Sequence, residues 1–434
     1  MQKYNLSLPY HSMDIVSLWQ NEGKKGNFRN APSPDSLCPA CKRNGRVYCP
    51  HKPILAIKAE LASSLNKQDF FGPSPPNLFV GHFGYPQINW GPMVSLADSL
   101  PDNPKDWYGW NFDQIIRARS LQVRGQAKAK AGMPSFSKSA GFGREAPLSR
   151  MLLDAQDAAM SFSPIDMELH FSKKPSLSVE MNSILQPMGP SAPLEKLRLA
   201  ENSKIPKKVD SLVGEGVKAT LAISELLSAG FDEHYLTRLL TAGVLGKKES
   251  RKLVPTKWGI TAIDDMIAKE HMKKIREMKQ GEGFFLYFNE YLANRFFILL
   301  LPGAWEYEGF EAWCGPNNTH SISEEYEPFE GRSDYASKQG GGYYAARLGI
   351  AEALDEKINS QYRALVIREI LPEYDLPCGV WVIRQTVRNA MAQKPQKFEV
   401  LSEALNALAK QLVLPLSNYL PKSRMLSQKR LTDF

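Results

Sequence analysis

The sequence predicts an α+β protein: a multi-segment globular body with a zinc-binding segment at its N-terminus and a flexible tail at its C-terminus. Three observations lead there. Helical and strand patterns mix without a regular βαβ alternation, three of the five cysteines cluster early, and apolar periodicity fades after Leu414. A chain of 434 residues has room for two or three hydrophobic cores. The reading divides it into a zinc-binding segment (1–70), a central α+β region with a basic stretch (71–260), a C-terminal α+β region (261–414) and a tail (415–434).

Residues 1–37 hold few periodic apolar positions and read as an irregular lead-in. Beyond the cysteines, Ile54, Leu55, Lys58, Leu61 and Leu65 predict a helix. Residues 71–110 are rich in Pro, Gly and aromatics, which suits an irregular region with rigid turns. A helix is predicted over 112–123, followed by Gly- and Ser-rich sequence. Another begins at Pro147, because Leu148, Met151, Leu152 and Ala155 share one face. Ile165, Met167, Leu169 and Phe171 alternate strictly, as in a half-buried strand. Helices follow at 217–229, 232–242 and 261–279, then paired strands from Phe284 to Leu301. Residues 343–358 read as helix, 362–369 and 378–384 as strands, and 385–410 as helix. There is no internal repeat.

The formal charge of +8 is unevenly spread. Arg117 to Arg150 holds eight Lys/Arg against Glu145, whereas Glu306 to Asp334 holds eight acids against Arg332. Such separation suits a protein with one side facing a polyanion. The N-terminus begins no signal-peptide pattern, and the most apolar run, Phe296 to Pro302, is too short to cross a bilayer. The expected location is cytoplasmic, in association with the nucleoid and with no membrane partner.

Cys38-Pro-Ala-Cys41 precedes Cys49-Pro-His51 by seven residues. A C-x-x-C pair fits two thiolates onto one metal, and a second pair of soft ligands completes a tetrahedron, so Cys38, Cys41, Cys49 and His51 are expected to hold structural Zn²⁺. His82 is the alternative fourth ligand. A redox dithiol would need a thioredoxin-like setting that the surrounding sequence does not supply. Cys314 and Cys378 stand alone and receive no role.

Arg117, Arg119, Arg124, Lys128, Lys130, Lys138 and Arg144, with Phe136 and Phe142 among them, form a candidate nucleic-acid contact. Cations meet phosphates and rings stack on exposed bases. The plainer alternative is a solvated face. Lys257 and Trp258 precede the helix that Thr261 is expected to cap, and could border an anion site; otherwise Trp258 is core and Thr261 only a cap. Gly340, Gly341 and Gly342 would let backbone approach phosphate, although the Lys-Ser/Thr pair of a P-loop is missing. The acidic stretch lacks the fixed spacing of a Mg²⁺ site and reads as a solvated loop.

At the C-terminus, Gln428, Leu431 and Phe434 have the spacing Q-x-x-L-x-x-F, flush with the chain end. One 3₁₀-like turn puts Leu431 and Phe434 on the same side, ready for an apolar pocket on a partner.

Taken together, these residues resemble the archaeal Nre family of DNA-repair proteins. The resemblance rests on the cysteine cluster, Phe79-Val-Gly-His-Phe-Gly-Tyr-Pro86, Leu253-Val-Pro-Thr-Lys-Trp258, Gly340-Gly-Gly-Tyr-Tyr-Ala-Ala-Arg347 and the terminal box. It implies docking on the PCNA sliding clamp through Gln428, Leu431 and Phe434, and a role in the response to DNA damage. Clamp-binding boxes often end in two aromatics; here Asp433 precedes Phe434, which predicts a modest affinity. The alternative is a clamp-recruited enzyme, a nuclease or a hydrolase of nucleotides or lesions. Convergence of Lys257, Asp264, Asp334, Tyr335 and the Gly340 loop in one concave site would favour the enzyme, and dispersal the adaptor.

Overall fold

The computed structural model describes residues 56–427, except 58, 76, 98–101, 133–146, 177–183, 186, 316–319 and 375–376. The predicted zinc ligands Cys38, Cys41, Cys49 and His51, the cations Lys138 and Arg144, and the box residues Gln428, Leu431 and Phe434 therefore lie outside the described residues. From Ile57 onward the chain forms one compact unit.

Twelve strands are described, six in each of two sheets. The first sheet contains β1 (Asp69–Ser74), β2 (Leu78–Val80), β3 (Gln87–Ser95), β4 (Gln122–Lys130), β5 (Ile165–Phe171) and β6 (Ser191–Leu199) in the order β1-β5-β6-β4-β3-β2. Only the β4–β6 pairing is parallel. Beside it lie α1 (Phe112–Ser120) and α2 (Pro147–Met160). Asn111 caps α1 in a reciprocal capping box with Gln114.

Four helices connect the sheets: α3 (Lys207–Glu215), α4 (Ala219–Ser228), α5 (Glu233–Thr241) and α6 (Thr256–Ile275). The second sheet contains β7 (Phe284–Tyr291), β8 (Asn294–Leu301), β9 (Glu306–Cys314), β10 (His320–Glu327), β11 (Arg363–Ile370) and β12 (Gln396–Phe398), ordered β10-β9-β11-β8-β7-β12. Here β9–β11 is the parallel pair. One face packs on α9 (Leu401–Ala409) and the segment after it, through Ala404, Leu408, Tyr419 and Met425. The helices α6, α7 (Gly341–Ala353) and α8 (Trp381–Ala392) pack in series, and α8 covers β7 and β8. Strands β8 and β11, covered on both faces, are accordingly apolar along most of their length. Leu292 and Ala293 join β7 to β8 with positive φ. Leu292 packs against the Trp107, Ile115, Trp381 and Val382 cluster, which ties the two halves together.

Several expectations are corrected. Residues 71–110 contain β1 to β3, because Pro73 and Pro92 occupy sheet positions that the composition disguised. The basic stretch continues as β4 after α1 ends at Ser120. Helix α6 begins at Thr256, so Thr261 is interior and its hydroxyl donates to the Lys257 carbonyl instead of capping. The same helix runs through residue 260, where the sequence reading placed a boundary. Residues 378–384 belong largely to a buried helix, since a short apolar run does not distinguish buried helix from strand. The segment from 385 to 410 is interrupted by β12, beside Pro395.

The acidic stretch forms β9 and β10, and Glu308, Glu325 and Glu327 are buried because each has partners. Glu327 accepts from Tyr343 (2.6 Å) and pairs with Arg347; Glu325 pairs with Arg332 at 2.9 Å. Residues 415–427 are likewise folded, with 3₁₀ turns at Leu416–Asn418 and Leu420–Lys422 and a short helix α10 (Arg424–Ser427). Periodicity faded there because the segment is held by polar contacts as much as by apolar ones. Glu369, inside the second sheet, accepts from the Val413 and Leu414 amides at 2.9 Å and from the Tyr419 hydroxyl at 3.2 Å. No described helix is long and apolar enough to cross a membrane.

Candidate nucleic-acid interface

Two sequence segments that lie far apart in the chain meet on one surface. The turn between β2 and β3 carries His82, Phe83 and Tyr85, and the first turn of α6 carries Lys257 and Trp258. They are joined below by the Val80 amide, which donates to Thr256 Oγ1 at 2.9 Å. Above this bond the Tyr85 and Trp258 rings pack at 5.1 Å, and His82 packs on Phe83 at 4.2 Å. Burial lowers the His82 pKa and the Lys257 cation lowers it further, which places that charge close by. Phe83 is 82% exposed, Trp258 46% and Tyr85 39%. Large exposed rings on one turn and the helix start beside it make this a candidate contact surface.

Cations border the rings. On the solvent face of the β3–β4 ribbon, Lys130 stands opposite Gln87 and Lys128 opposite Asn89, all four exposed. Just beyond β4, Ala131 donates to the Pro86 carbonyl and accepts from the Leu253 amide, so the exposed Lys252 belongs to the same neighbourhood. Flexible ammonium groups beside stackable rings are what a sequence-tolerant nucleic-acid surface requires.

The remaining predicted cations divide. Arg117 is exposed and paired with Glu60 at 2.6 Å. Arg119 and Arg124, in contrast, are interior side chains. Arg119 donates to Asp102 (2.6 Å) and to the Pro187 carbonyl (2.8 Å), while Arg124 lies 4.2 Å over the Phe79 ring. A guanidinium held this way cannot reach a phosphate backbone, so these two positions are corrected to structural roles. Cover along the strand is the missed signal: Arg124, Lys128 and Lys130 share one face of β4, but Phe79 and Met188 cover Arg124 while the two lysines at the far end stay exposed.

Of the residues named for an enzymatic site, Asp334, Tyr335 and the Gly340 loop lie together: Arg332 donates to the Asp334 carbonyl at 2.9 Å, and a Cβ on Gly340 would meet the Tyr335 hydroxyl at 3.2 Å. Lys257 and Trp258 lie on the exposed surface, and Asp264 is buried against Arg384 at 2.7 Å. Tyr335 is half exposed and stacks on Tyr344. The glycines are packing positions: a Cβ on Gly341 would meet Val380 and Ile184 at 3.0–3.1 Å, and one on Gly342 would meet Ile383 at 3.1 Å. Trp258 is not core. Cys314 and Cys378 are buried, and burial pushes their thiols up to about 11 and about 12, which makes them inert at neutral pH. Among the described residues no three His, Cys, Asp or Glu side chains gather as a metal site.

A second feature concerns the chain end. Glu308, buried in β9, accepts from the Ser423 hydroxyl and from the Arg424 amide (2.6 Å). It thereby holds the N-terminus of α10, and Met425 of that helix is buried in the core. Gln428, the first residue of the terminal box, follows directly after this anchored helix.

A mixed α+β body with an exposed group of rings and lysines, in which no described helix is long and apolar enough to cross a membrane, is the class of protein that the fold and this surface define. The comparisons give the family. Residues 44–320 match the family model described as archaeal Nre, N-terminal, and residues 327–434 match archaeal Nre, C-terminal. The chain belongs to the archaeal Nre family. It is 34% identical over 383 residues to DNA repair protein NreA of Archaeoglobus fulgidus, covering 86% of this chain and 93% of that protein. It is 31% identical to DNA repair protein NreB of the same organism (91% and 97%) and 30% identical to DNA repair protein NreA of Haloferax volcanii (84% and 88%). No solved structure matches the chain with significance.

Proposed function

We propose that this chain is a DNA-repair factor that contacts DNA through the Phe83–Tyr85–Trp258 surface with its lysines, and docks on the sliding clamp through Gln428, Leu431 and Phe434. The observation that carries the DNA contact is the meeting of three exposed rings and four lysines from separate segments. The relatives' names supply the setting of repair. Burial of Asp264 in its 2.7 Å ion pair with Arg384, which leaves it no free carboxylate for chemistry, favours an adaptor over a clamp-recruited hydrolase. The cysteine cluster completes the reading with one structural zinc on Cys38, Cys41, Cys49 and His51.

Fluorescence anisotropy with single-stranded and mismatched oligonucleotides tests the DNA contact. Base–aromatic stacking contributes about 1–3 kcal/mol per base, so Phe83→Ala and Trp258→Ala should each weaken binding roughly 5- to 150-fold. Lys128→Glu with Lys130→Glu should also flatten the dependence of affinity on salt. Wild-type affinity in all these variants refutes the surface. For the clamp, titration with a chain ending at Ser427 and with Leu431→Ala/Phe434→Ala should show binding lost; undiminished binding would place the contact elsewhere.

A further inference from the structure

Two loops far apart in the chain are clamped together next to the aromatic surface. Residues 213–219 run from the end of α3 into α4, and residues 246–252 lie between α5 and α6, with a 3₁₀ turn at Lys248–Ser250. Arg251, only 7% exposed, is the clamp. Its Nη2 donates to the Val213 carbonyl at 2.5 Å and its Nε to the Gly246 carbonyl at 2.9 Å. Two glycines in left-handed backbone let the loops approach. Gly216 has φ 71°, and a Cβ there would meet the Lys248 side chain at 3.2 Å; Gly246 has φ 104°, and a Cβ there would meet Ala219 at 3.8 Å.

Lys218 lies between those two points of contact, so the clamp gathers Lys218, Lys247 and Lys248. All three are exposed, and none forms an ion pair among the described residues, whereas Lys208 on α3 pairs with Glu225. The acids on the two loops are Glu249 and Glu215, and Glu215 accepts from Ser211 at 2.5 Å. Five cations therefore face two acids here, and gathering like charges carries a cost that a bound polyanion offsets. Lys252 ends this patch and borders the rings. The Leu253 amide after it donates to the Ala131 carbonyl at 3.1 Å, and the Ala131 amide donates to the Pro86 carbonyl at 2.8 Å.

Chemistry separates the two parts. Neither loop contains an aromatic residue, so this patch meets phosphates alone, and exposed ammonium groups are attracted most to their densest array, the duplex backbone. The rings of Phe83, Tyr85 and Trp258 need bases that are out of the stack. We propose that Lys218, Lys247 and Lys248 hold the backbone of duplex DNA while the ring surface takes the unpaired bases next to it, which makes the substrate class a junction of double and single strand. The inference rests on the proposed contact of the rings with DNA and adds to it a second footprint and a DNA form.

Fluorescence anisotropy of the full-length chain is compared on a blunt duplex, a single strand and a duplex with a single-stranded extension. The extended duplex should bind at least tenfold more tightly than either simple form. Lys247→Glu with Lys248→Glu should weaken both duplexes at least tenfold and lower their salt slope by about 2, roughly one per lysine, while changing the single strand by less than about threefold. Lys394→Glu with Lys410→Glu, at exposed lysines of the second half, makes the same change of charge and should alter each affinity by less than about threefold. Phe83→Ala should weaken the single strand and the extended duplex but not the blunt one. Should the double reversal fail to fold, Lys218→Gln, a milder change at an exposed position, decides on the same three DNA forms. No preference for the extended duplex, equal losses on all three forms, or equal losses from the control pair overturns the proposal and leaves the ring surface standing. Absence of affinity for every form refutes the ring contact and this footprint with it.

Discussion

Replacing Glu308 with alanine should free the last described helix without unfolding the body. The carboxylate accepts from the Ser423 hydroxyl and the Arg424 amide, and it sits 1% exposed in β9. Hydrogen bonds to a charged acceptor contribute about 1.5–3 kcal/mol each. Desolvation opposes them and is the largest influence on this carboxyl, whose pKa is raised despite those bonds. The net loss in Glu308→Ala should be about 2–3 kcal/mol. Amide exchange over 424–427 should then quicken roughly 30- to 150-fold, while β8 and β11 remain protected. Glu308→Gln keeps an accepting oxygen without the buried charge and should change exchange little. Because the folded carboxyl holds its proton more tightly than the unfolded chain does, its contribution is full below the ordinary glutamate value of 4.5 and is lost as pH rises through the raised value. Glu308→Gln should remove that slope. Equal exchange over 424–427 in wild type and Glu308→Ala would refute the anchor.

Other consequences concern the groups corrected or proposed above. Arg119→Met strands the Asp102 carboxylate and should cost about 3–5 kcal/mol in denaturant unfolding; a loss below 1 kcal/mol would contradict its structural role. Purified protein should contain about one zinc per chain, and metal removal should lower the melting temperature; a metal-free chain that melts unchanged would remove the zinc proposal. Burial lowers His234 to about 4, with Glu233, Asp232, Arg384 and Lys105 as its charged neighbours. A depressed pKa means that its contribution is present above the ordinary value of 6.5 and is lost as pH falls toward about 4. His234→Gln should therefore narrow the gap between melting temperatures at pH 7 and pH 4.5, and an identical gap would refute this.

Where one local pattern decides an element, the sequence shows it plainly. The alternation at 165–171, the amphipathic stripes of α4 and α5 and the apolar hairpin of β7 and β8 are all found where the pattern puts them. Burial of charge was not legible. Glu308, Glu325 and Glu327 look like a solvated acidic run until the fold turns Arg332 back onto Glu325 and brings Arg347 and the distant Ser423 to the other two. For the same reason Arg119 and Lys130 look alike in a charge count, although one is locked to Asp102 and the other is exposed. The aromatic surface was half legible: both of its segments stood out as motifs, but only the β2–β3 turn and the start of α6 bring them together.

Anchoring the chain end changes what a clamp-docking box can do. A free tail of the length first read from the sequence, 415–434, would extend up to roughly 70 Å and leave the body almost unconstrained beside its partner. With the chain held through Ser427, Phe434 is seven residues from the anchor, a reach of at most about 25 Å. If Leu431 and Phe434 occupy a pocket, most of that length is used in the docking itself, so the second sheet must lie close against the clamp. Short connections raise the effective concentration of whatever else the body carries, but only when the geometry allows both contacts together. On the proposed docking, the buried Glu308 and Glu369 would act through position, by limiting how far the body can stand from a clamp.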